Sequence, residues 1–599
     1  MEMQGRRLIA SGENNGLMID DIDDVDDKEL MIRKGTVTRM KRWRDTISIF
    51  VKNKFYMVTL SLIALCSYGF FVTHPTVGID DTPYNYYFEE GLIAIVGRWC
   101  LYLLNKVVDI AEFTPFLPDL AAVLLLMAAA VVWSALFYSV LKDKVPAWGY
   151  LVFAGLFLSN SLHSEVMTYY LHNGMAIGYL FTGVSLVCLK TALDRIGETG
   201  LRPDTGKVTA LTGAVLAMVT AIGCYESFMI VWLVGVLLLL LAERFAGSDC
   251  KVFRALCVAA VTALAAMILR SLIISAVIGI FDLGYMRDEA ELRSITEMLS
   301  WISEENGPAY FAMVLKQTIV MYSVFGYAYF PIRIYVYAAV VLMVVSLVRG
   351  IMKKDFWLPV LTLGTFIASY LLVLLECKAT YYRSAQFLPL VCAFAGLILI
   401  YHIRLVMAKS AVKKAKLYGC CNAFLGICFG ILMFNQCSDM NKWFYVDYLK
   451  YEDAKTTMNR IAYELECNYD IEKPVIFTGA YVAPTGILRN TYVPYDSELF
   501  AKIDRAAALI DDTVLRNFYQ AQGVWVAQTP ALSVLDWGRY AFGDDKEMAR
   551  FYEIHGQKLV PETDLAKYEE ATSYAAQHMT HFPAKGSIAD MGEYIIVNY

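Results

Sequence analysis

Charge is what this chain is short of. Only 18% of its 599 residues are Asp, Glu, Lys or Arg, while 57% are hydrophobic. An average soluble domain carries about 25% charged residues. With a mean hydropathy of +0.46, the soluble-enzyme, fibrous and disordered classes are excluded as descriptions of the whole, and a polytopic membrane protein remains. A basic field is also missing. The net charge is −6, and residues 20–29, with seven acids and one Lys, account for all of it. A nucleic-acid partner is therefore not expected. The 13 cysteines show no CxxC or Cys/His spacing, so neither a disulfide framework nor a zinc site is implied. Most of them sit in apolar runs, where Cys packs as a small hydrophobe. No apolar core with a small-residue cleavage site opens the chain, so no cleaved signal peptide is expected. Residues 1–45 read as a disordered cytoplasmic tail ending in a basic segment with Arg33, Lys34, Arg39, Lys41, Arg42 and Arg44.

What the chain has in abundance is long apolar runs. A spanning helix needs roughly 20 mostly apolar residues. Eleven stretches qualify, at about 55–73, 119–141, 146–161, 174–193, 208–223, 227–242, 253–277, 332–348, 357–375, 385–402 and 417–435. The third is among the shortest. With the N-terminus cytoplasmic, the basic clusters at 33–54, Lys142/Lys144, 190–207, 244–254, 349–354 and 404–416 all fall inside, as the positive-inside bias requires. An odd number of spans then puts residues 439–599 on the outer face. This tail alternates polar and apolar stretches. Segment 447–466 has helical spacing, while 474–479 (PVIFTG) and the closing EYIIVNY read as strands. The fold class that follows is an all-α membrane bundle (46–438) with a small extracytoplasmic α/β domain (439–599). The tail holds no phosphate-binding Gly loop and no nucleophile elbow.

The outer loops hold the residues able to do chemistry. Asp80 and Asp81 follow the first span directly, before Thr82-Pro83. Pro83 keeps this stretch from being helical, so both carboxylates can approach one site. A carboxylate at the membrane–water boundary suits a general base. Capping of the next helix explains the pair equally on spacing alone. Segment 89–106 is amphipathic and should lie in the outer interface, with Arg98 and Trp99. The second outer loop holds His163, Glu165 and His172, a spacing that is not a metal signature. Glu226, beside Tyr225, lies in a turn near bilayer depth, where an ionisable group is costly. Glu376, Lys378 and Arg383 gather at a later outer loop. A cation at headgroup height can bind phosphate, and Arg can do so with two parallel hydrogen bonds; snorkelling to bulk lipid is the plainer alternative.

In combination these motifs resemble one family. The stretch 78–104, with Asp80/Asp81 followed by Gly97-Arg98-Trp99, resembles the first outer loop of the bacterial glucosyltransferase type II family of integral-membrane O-antigen glucosyltransferases. The turn Cys224-Tyr225-Glu226-Ser227-Phe228 is similar to a family turn that more often carries Gln at the position of Glu226. Segments 473–479 and 581–599 match its closing pattern. The resemblance runs from about residue 55 to the end.

That resemblance implies a GT-C-type glycosyltransferase of the bacterial plasma membrane. Its donor would be a polyprenyl phosphate sugar, undecaprenyl phosphate glucose above all, and its acceptor a surface glycan on the outer face. Transfer would proceed with inversion. Asp80 or Asp81 would act as base, and Arg383 with Lys378 or Arg98 would hold the donor phosphate. His163, Glu165, Tyr225, Glu226 and Glu376 would support the site or meet the acceptor. No cofactor is called for; a divalent metal is compatible with such a site but not indicated. The competing class is a flippase for a lipid-linked sugar. It would show internal repeats and broken midplane helices, and no repeat is evident.

Overall fold

The computed structural model describes residues 43–76, 90–108, 114–167, 172–248, 250–286, 299–303, 333–377, 384–410, 415–479 and 555–599, with isolated positions at 307–315 and 549–553. Helix α1 (43–51) precedes α2 (Lys54–Thr73), α3 (Glu90–Ile95), α4 (Trp99–Val108), α5 (Leu117–Leu141), α6 (Ala147–Leu158) and α7 (Leu162–Met167). There follow α8 (His172–Thr199), α9 (Thr205–Cys224), α10 (Phe228–Ala246), α11 (Val252–Ile280), α12 (Arg333–Lys353), α13 (Trp357–Ser369), α14 (Leu371–Glu376), α15 (Leu388–Ser410) and α16 (Ala415–Asn468).

All eleven apolar stretches are helical. Among the described residues nine helices are long and apolar enough to cross a membrane, and this is a multi-pass membrane protein. The other two stretches form α6, with 12 residues, and α13, with 13, followed after Tyr370 by α14. Twelve residues rise only about 18 Å, short of the roughly 30 Å hydrocarbon core. Most of α6 is buried in protein, so its length need not match lipid.

Helices α2, α5 and α10 are apolar on nearly every face, as a lipid-embedded helix can be. On α2, Phe55, Val58, Leu62 and Leu65 point outward while Tyr56, Leu60, Ala64, Tyr68 and Phe71 point in. The inward face of α11 is small, with Ala255, Ala259, Thr262 and Ala266 buried. Small residues let helix backbones approach where no hydrophobic force drives association. Three large inward side chains find internal acceptors, since lipid offers none. The Tyr68 hydroxyl donates to the Leu158 carbonyl at 2.7 Å, Tyr179 to that of Gln386 at 2.6 Å, and the Trp133 indole to that of Tyr179 at 3.1 Å.

Ion pairs tie the helices at one end of the bundle. Lys190 meets Glu243 at 2.9 Å and also Asp194, and Arg244 meets Asp355 at 2.6 Å. Arg349 donates to the Phe245 carbonyl at 2.8 Å. At the other end Phe71, the start of α5 and the start of α8 meet, where His172 Nε2 lies 3.1 Å from Asp119 Oδ1.

The last span does not stop at the membrane. Helix α16 runs unbroken for 54 residues, about 80 Å at 1.5 Å per residue. Its far end covers one face of a four-stranded sheet ordered β2-β1-β4-β3, made of β1 (Pro474–Thr478), β2 (Val560–Pro561), β3 (Ile588–Asp590) and β4 (Ile595–Asn598). Strand β1 pairs in parallel with β2 and β4, and β3 pairs antiparallel with β4. Alternation divides the core: Val475, Phe477, Ile595 and Val597 face Ala454, Met458 and Ile461 of α16. Ile476 and Ile596 face Tyr568, Ala571 and Ala575 of α17 (Leu565–His578). The strands fall where 474–479 and the closing residues predict them.

Candidate active site

Helices α3 and α4 form the amphipathic segment predicted for the outer interface. They pack on α11 and on the end of α9 through Ile93, Ile95, Leu101, Tyr102, Cys224, Val277 and Ile278. The chain reverses between them at Gly97, whose φ of +93° lies where residues with a Cβ are disfavoured. A Cβ there would also stand 2.1 Å from Arg270 Nη2. Glycine thus serves both the turn and the close approach of a side chain from α11. Arg270 donates to the Gly97 carbonyl at 3.5 Å.

The next two residues point at the α9–α10 turn. Arg98 lays its guanidinium over the Tyr225 ring at 4.5 Å, and its Nε is 3.8 Å from Glu226 Oε2. Trp99 lies against Gly223, where a Cβ would meet its indole nitrogen at 2.4 Å. Two motifs separated by about 125 residues therefore share one site: Gly97-Arg98-Trp99 and Tyr225-Glu226. Glu226 is 43% exposed and Arg98 20% in their side chains, so the pair sits at a boundary between protein and surroundings.

Other predicted residues lie elsewhere or beyond view. Asp80, Asp81, Lys378 and Arg383 lie outside the described residues. Glu165 is on α7 and Glu376 ends α14. His163 is buried in the core, with Nε2 at 2.9 Å from the Phe157 carbonyl and its ring edge-on to Phe157 and Tyr179. Burial pulls its pKa down to about 4, against the opposing pull of the Phe157 carbonyl. Among the described residues no group of three His, Cys, Asp or Glu is placed to hold a metal ion. A cavity of about 580 Å³ lies at the opposite, ion-paired end, lined by Trp43, Lys142, Lys190, Asp194 and Glu243. It is remote from Arg98.

Two features escape a reading of the outer loops. Arg270 lies inside an apolar run of 29 residues. Its only sequence signal is that an ionisable group in a span is expensive. The buried Asp119–His172 pair joins the first residue of one predicted span to a loop position before another.

The glucosyl transferase GtrII family matches residues 69–401, more than half of the chain. The chain belongs to the GtrII glucosyl transferase family. The matched segment contains both halves of the Arg98–Glu226 site, along with Arg270. Glucosyl transfer is the activity of this family, and it makes the protein a membrane-embedded glycosyltransferase. No curated protein and no solved structure matches the chain.

Proposed function

We propose that the protein moves glucose from a polyprenyl phosphate donor, undecaprenyl phosphate glucose in a bacterial plasma membrane, to a surface glycan on the extracytoplasmic face. The observation that carries this reading is the meeting of Arg98 and Trp99 with Tyr225 and Glu226 inside the GtrII segment. A guanidinium at the edge of the bundle, on an amphipathic helix pair, suits the phosphate of a lipid whose tail lies among the helices. Asp80 or Asp81 acts as general base on the acceptor hydroxyl, and the sugar carbon is inverted in one displacement. The hydroxyl oxygen bonds to the sugar carbon as the bond to the phosphate oxygen breaks, and the lipid phosphate leaves. Arg383 and Lys378 join Arg98 around that phosphate. Eleven crossings, with the N-terminus cytoplasmic and residues 439–599 forming an outer domain, complete the arrangement.

Purified protein given radiolabelled donor and acceptor tests it. Asp80→Asn or Asp81→Asn, whichever removes the base, should lower turnover at least about a hundredfold while donor binding persists. Near-wild-type rates in both variants would remove the base assignment. Donor crossing the bilayer with no label reaching the glycan would favour a flippase instead.

A further inference from the structure

Three buried nitrogen donors around Gly97 have no hydrogen-bond acceptor among the described residues: Arg98 Nε, Trp99 Nε1 and Arg270 Nε. They come from two elements. Arg98 and Trp99 open α4, and Arg270 reaches the Gly97 carbonyl from α11. Buried N–H groups are nearly always paired, and an orphan is costly. Three orphans at one spot, all donors, describe a missing acceptor.

The charges point the same way. Two guanidiniums face one carboxylate, Glu226, which lies 3.8 Å from Arg98 Nε and within Coulombic range of Arg270. The local sum is one positive charge in surroundings where charge is poorly solvated. Arg270 stands about 15 Å of helical rise before the end of α11, within the spanning segment, and an arginine there marks a functional position. Gly97 and Gly223 both lack a Cβ where one would strike these side chains: Arg270 Nη2 at 2.1 Å and Trp99 Nε1 at 2.4 Å. The two glycines let the Arg270 and Trp99 side chains lie close against the backbone at this spot.

We propose that Arg270, with Arg98 and Trp99, forms the seat for the phosphate of the polyprenyl phosphate donor. The inference rests on the transfer reading above and adds to it a residue from a membrane span. Arg270 contacts a phosphate oxygen through the fork of its guanidinium. The Trp99 indole donates a further bond, and Glu226 restrains the seat by competing for the same cations. The phosphate is thereby drawn below headgroup height, which leaves the sugar at the boundary where Glu226 is exposed.

The test measures binding of a short-chain polyprenyl phosphate to the purified full-length protein, with the matching polyprenol and inorganic phosphate as probes. Arg270→Gln should weaken polyprenyl phosphate binding at least tenfold and leave polyprenol binding unchanged. Arg270→Lys, which keeps the charge and loses the fork, should fall between. Glu226→Gln should tighten polyprenyl phosphate binding, because a competing anion is removed. This opposite sign sets the seat apart from a structural ion lattice, in which both Gln variants would weaken binding and lower the melting temperature. Wild-type affinity in Arg270→Gln, or weakened binding in Glu226→Gln, overturns the assignment. Inorganic phosphate that binds as tightly as the lipid would make this a free-anion site and overturn the lipid assignment. A wild-type protein that binds no polyprenyl phosphate brings down the transfer reading itself.

Discussion

At the scale of single residues, burial decides what an ionisable group does. His163 was singled out by its loop neighbourhood, yet it is enclosed by Phe157 and Tyr179 and bonded to a backbone carbonyl. Its pKa is about 4 in the fold, below an unfolded value near 6.5. Above pH 6.5 the ring is neutral in both states. Between 6.5 and 4 the unfolded chain takes up a proton that the folded protein refuses, so stability falls as pH drops, by up to roughly 3 kcal/mol. His163→Gln keeps a donor for the Phe157 carbonyl and removes the titration. Melting curves in detergent should show the wild type losing ground to the variant from pH 6.5 down to 4.5, and parallel curves would contradict this. Glu226 is legible as a site residue because it separates two apolar runs, and Arg98 because it stands in an amphipathic segment whose motif resembles the family's. Arg270 was not, because a lone Arg in a span carries no spacing, and its partner Gly97 is far away in sequence. Asp80, Asp81, Lys378 and Arg383 fall outside the described residues.

At the scale of elements, every apolar run became a helix, but lengths followed backbone breakers rather than hydropathy. Segments 417–435 and 447–466 read as two helices because Asp439 and Lys442 interrupt the apolar pattern. They are one helix, since no Gly or Pro occurs between residues 431 and 468. Polar residues end a hydrophobic run without ending a helix. Close approach of helices is set by glycine in the same way. A Cβ on Gly178 of α8 would meet the fully buried Phe228 ring of α10 at 2.0 Å. That ring is hemmed in edge-on by Tyr179 at 5.2 Å and cannot swing clear. Gly178→Ala should destabilise by about 1–3 kcal/mol through overpacking. Gly426→Ala, with nothing within 4 Å of the new Cβ, should be neutral or stabilise by about 0.4–1 kcal/mol. Thermal unfolding of both purified variants checks the contrast, and a stable Gly178→Ala would mean the α8–α10 seam is looser than these distances require.

At the scale of the whole molecule, the direction of α16 fixes which end of the bundle carries the sheet. The helix runs alongside α2 in the same sense. Ser67 and Cys437 lie 3.2 Å apart, Asn441 donates to the Cys66 carbonyl at 2.6 Å, and Thr76, past the end of α2, donates to Asp447 at 2.5 Å. Helix α16 therefore leaves the bundle at the end where α2 finishes, the end of the Asp119–His172 pair. Lys144, Lys190, Arg244 and Arg349 gather at the opposite end, where they pair with Glu243, Asp355 and backbone carbonyls. Cationic ends face the cytoplasm under the positive-inside bias. In the proposed topology the short helices α6 and α13 are crossings, and each starts at the cationic end: α6 follows Lys144 and α13 follows the Asp355–Arg244 pair. This direction is the one that the proposed eleven crossings and outer sheet require. Lys585 is exposed on the chain between α17 and β3, and Cys467 is an exposed native thiol at the far end of α16. In a Cys467→Ser background, Lys585→Cys should react with a membrane-impermeant maleimide in intact cells. Arg202→Cys, exposed between α8 and α9, should react only after lysis. The reverse pattern would invert the molecule, and with it the proposal that the Arg98–Glu226 site works on the extracytoplasmic face. Labelling of both positions in intact cells would break the parity and require α13, the short helix between them, not to cross.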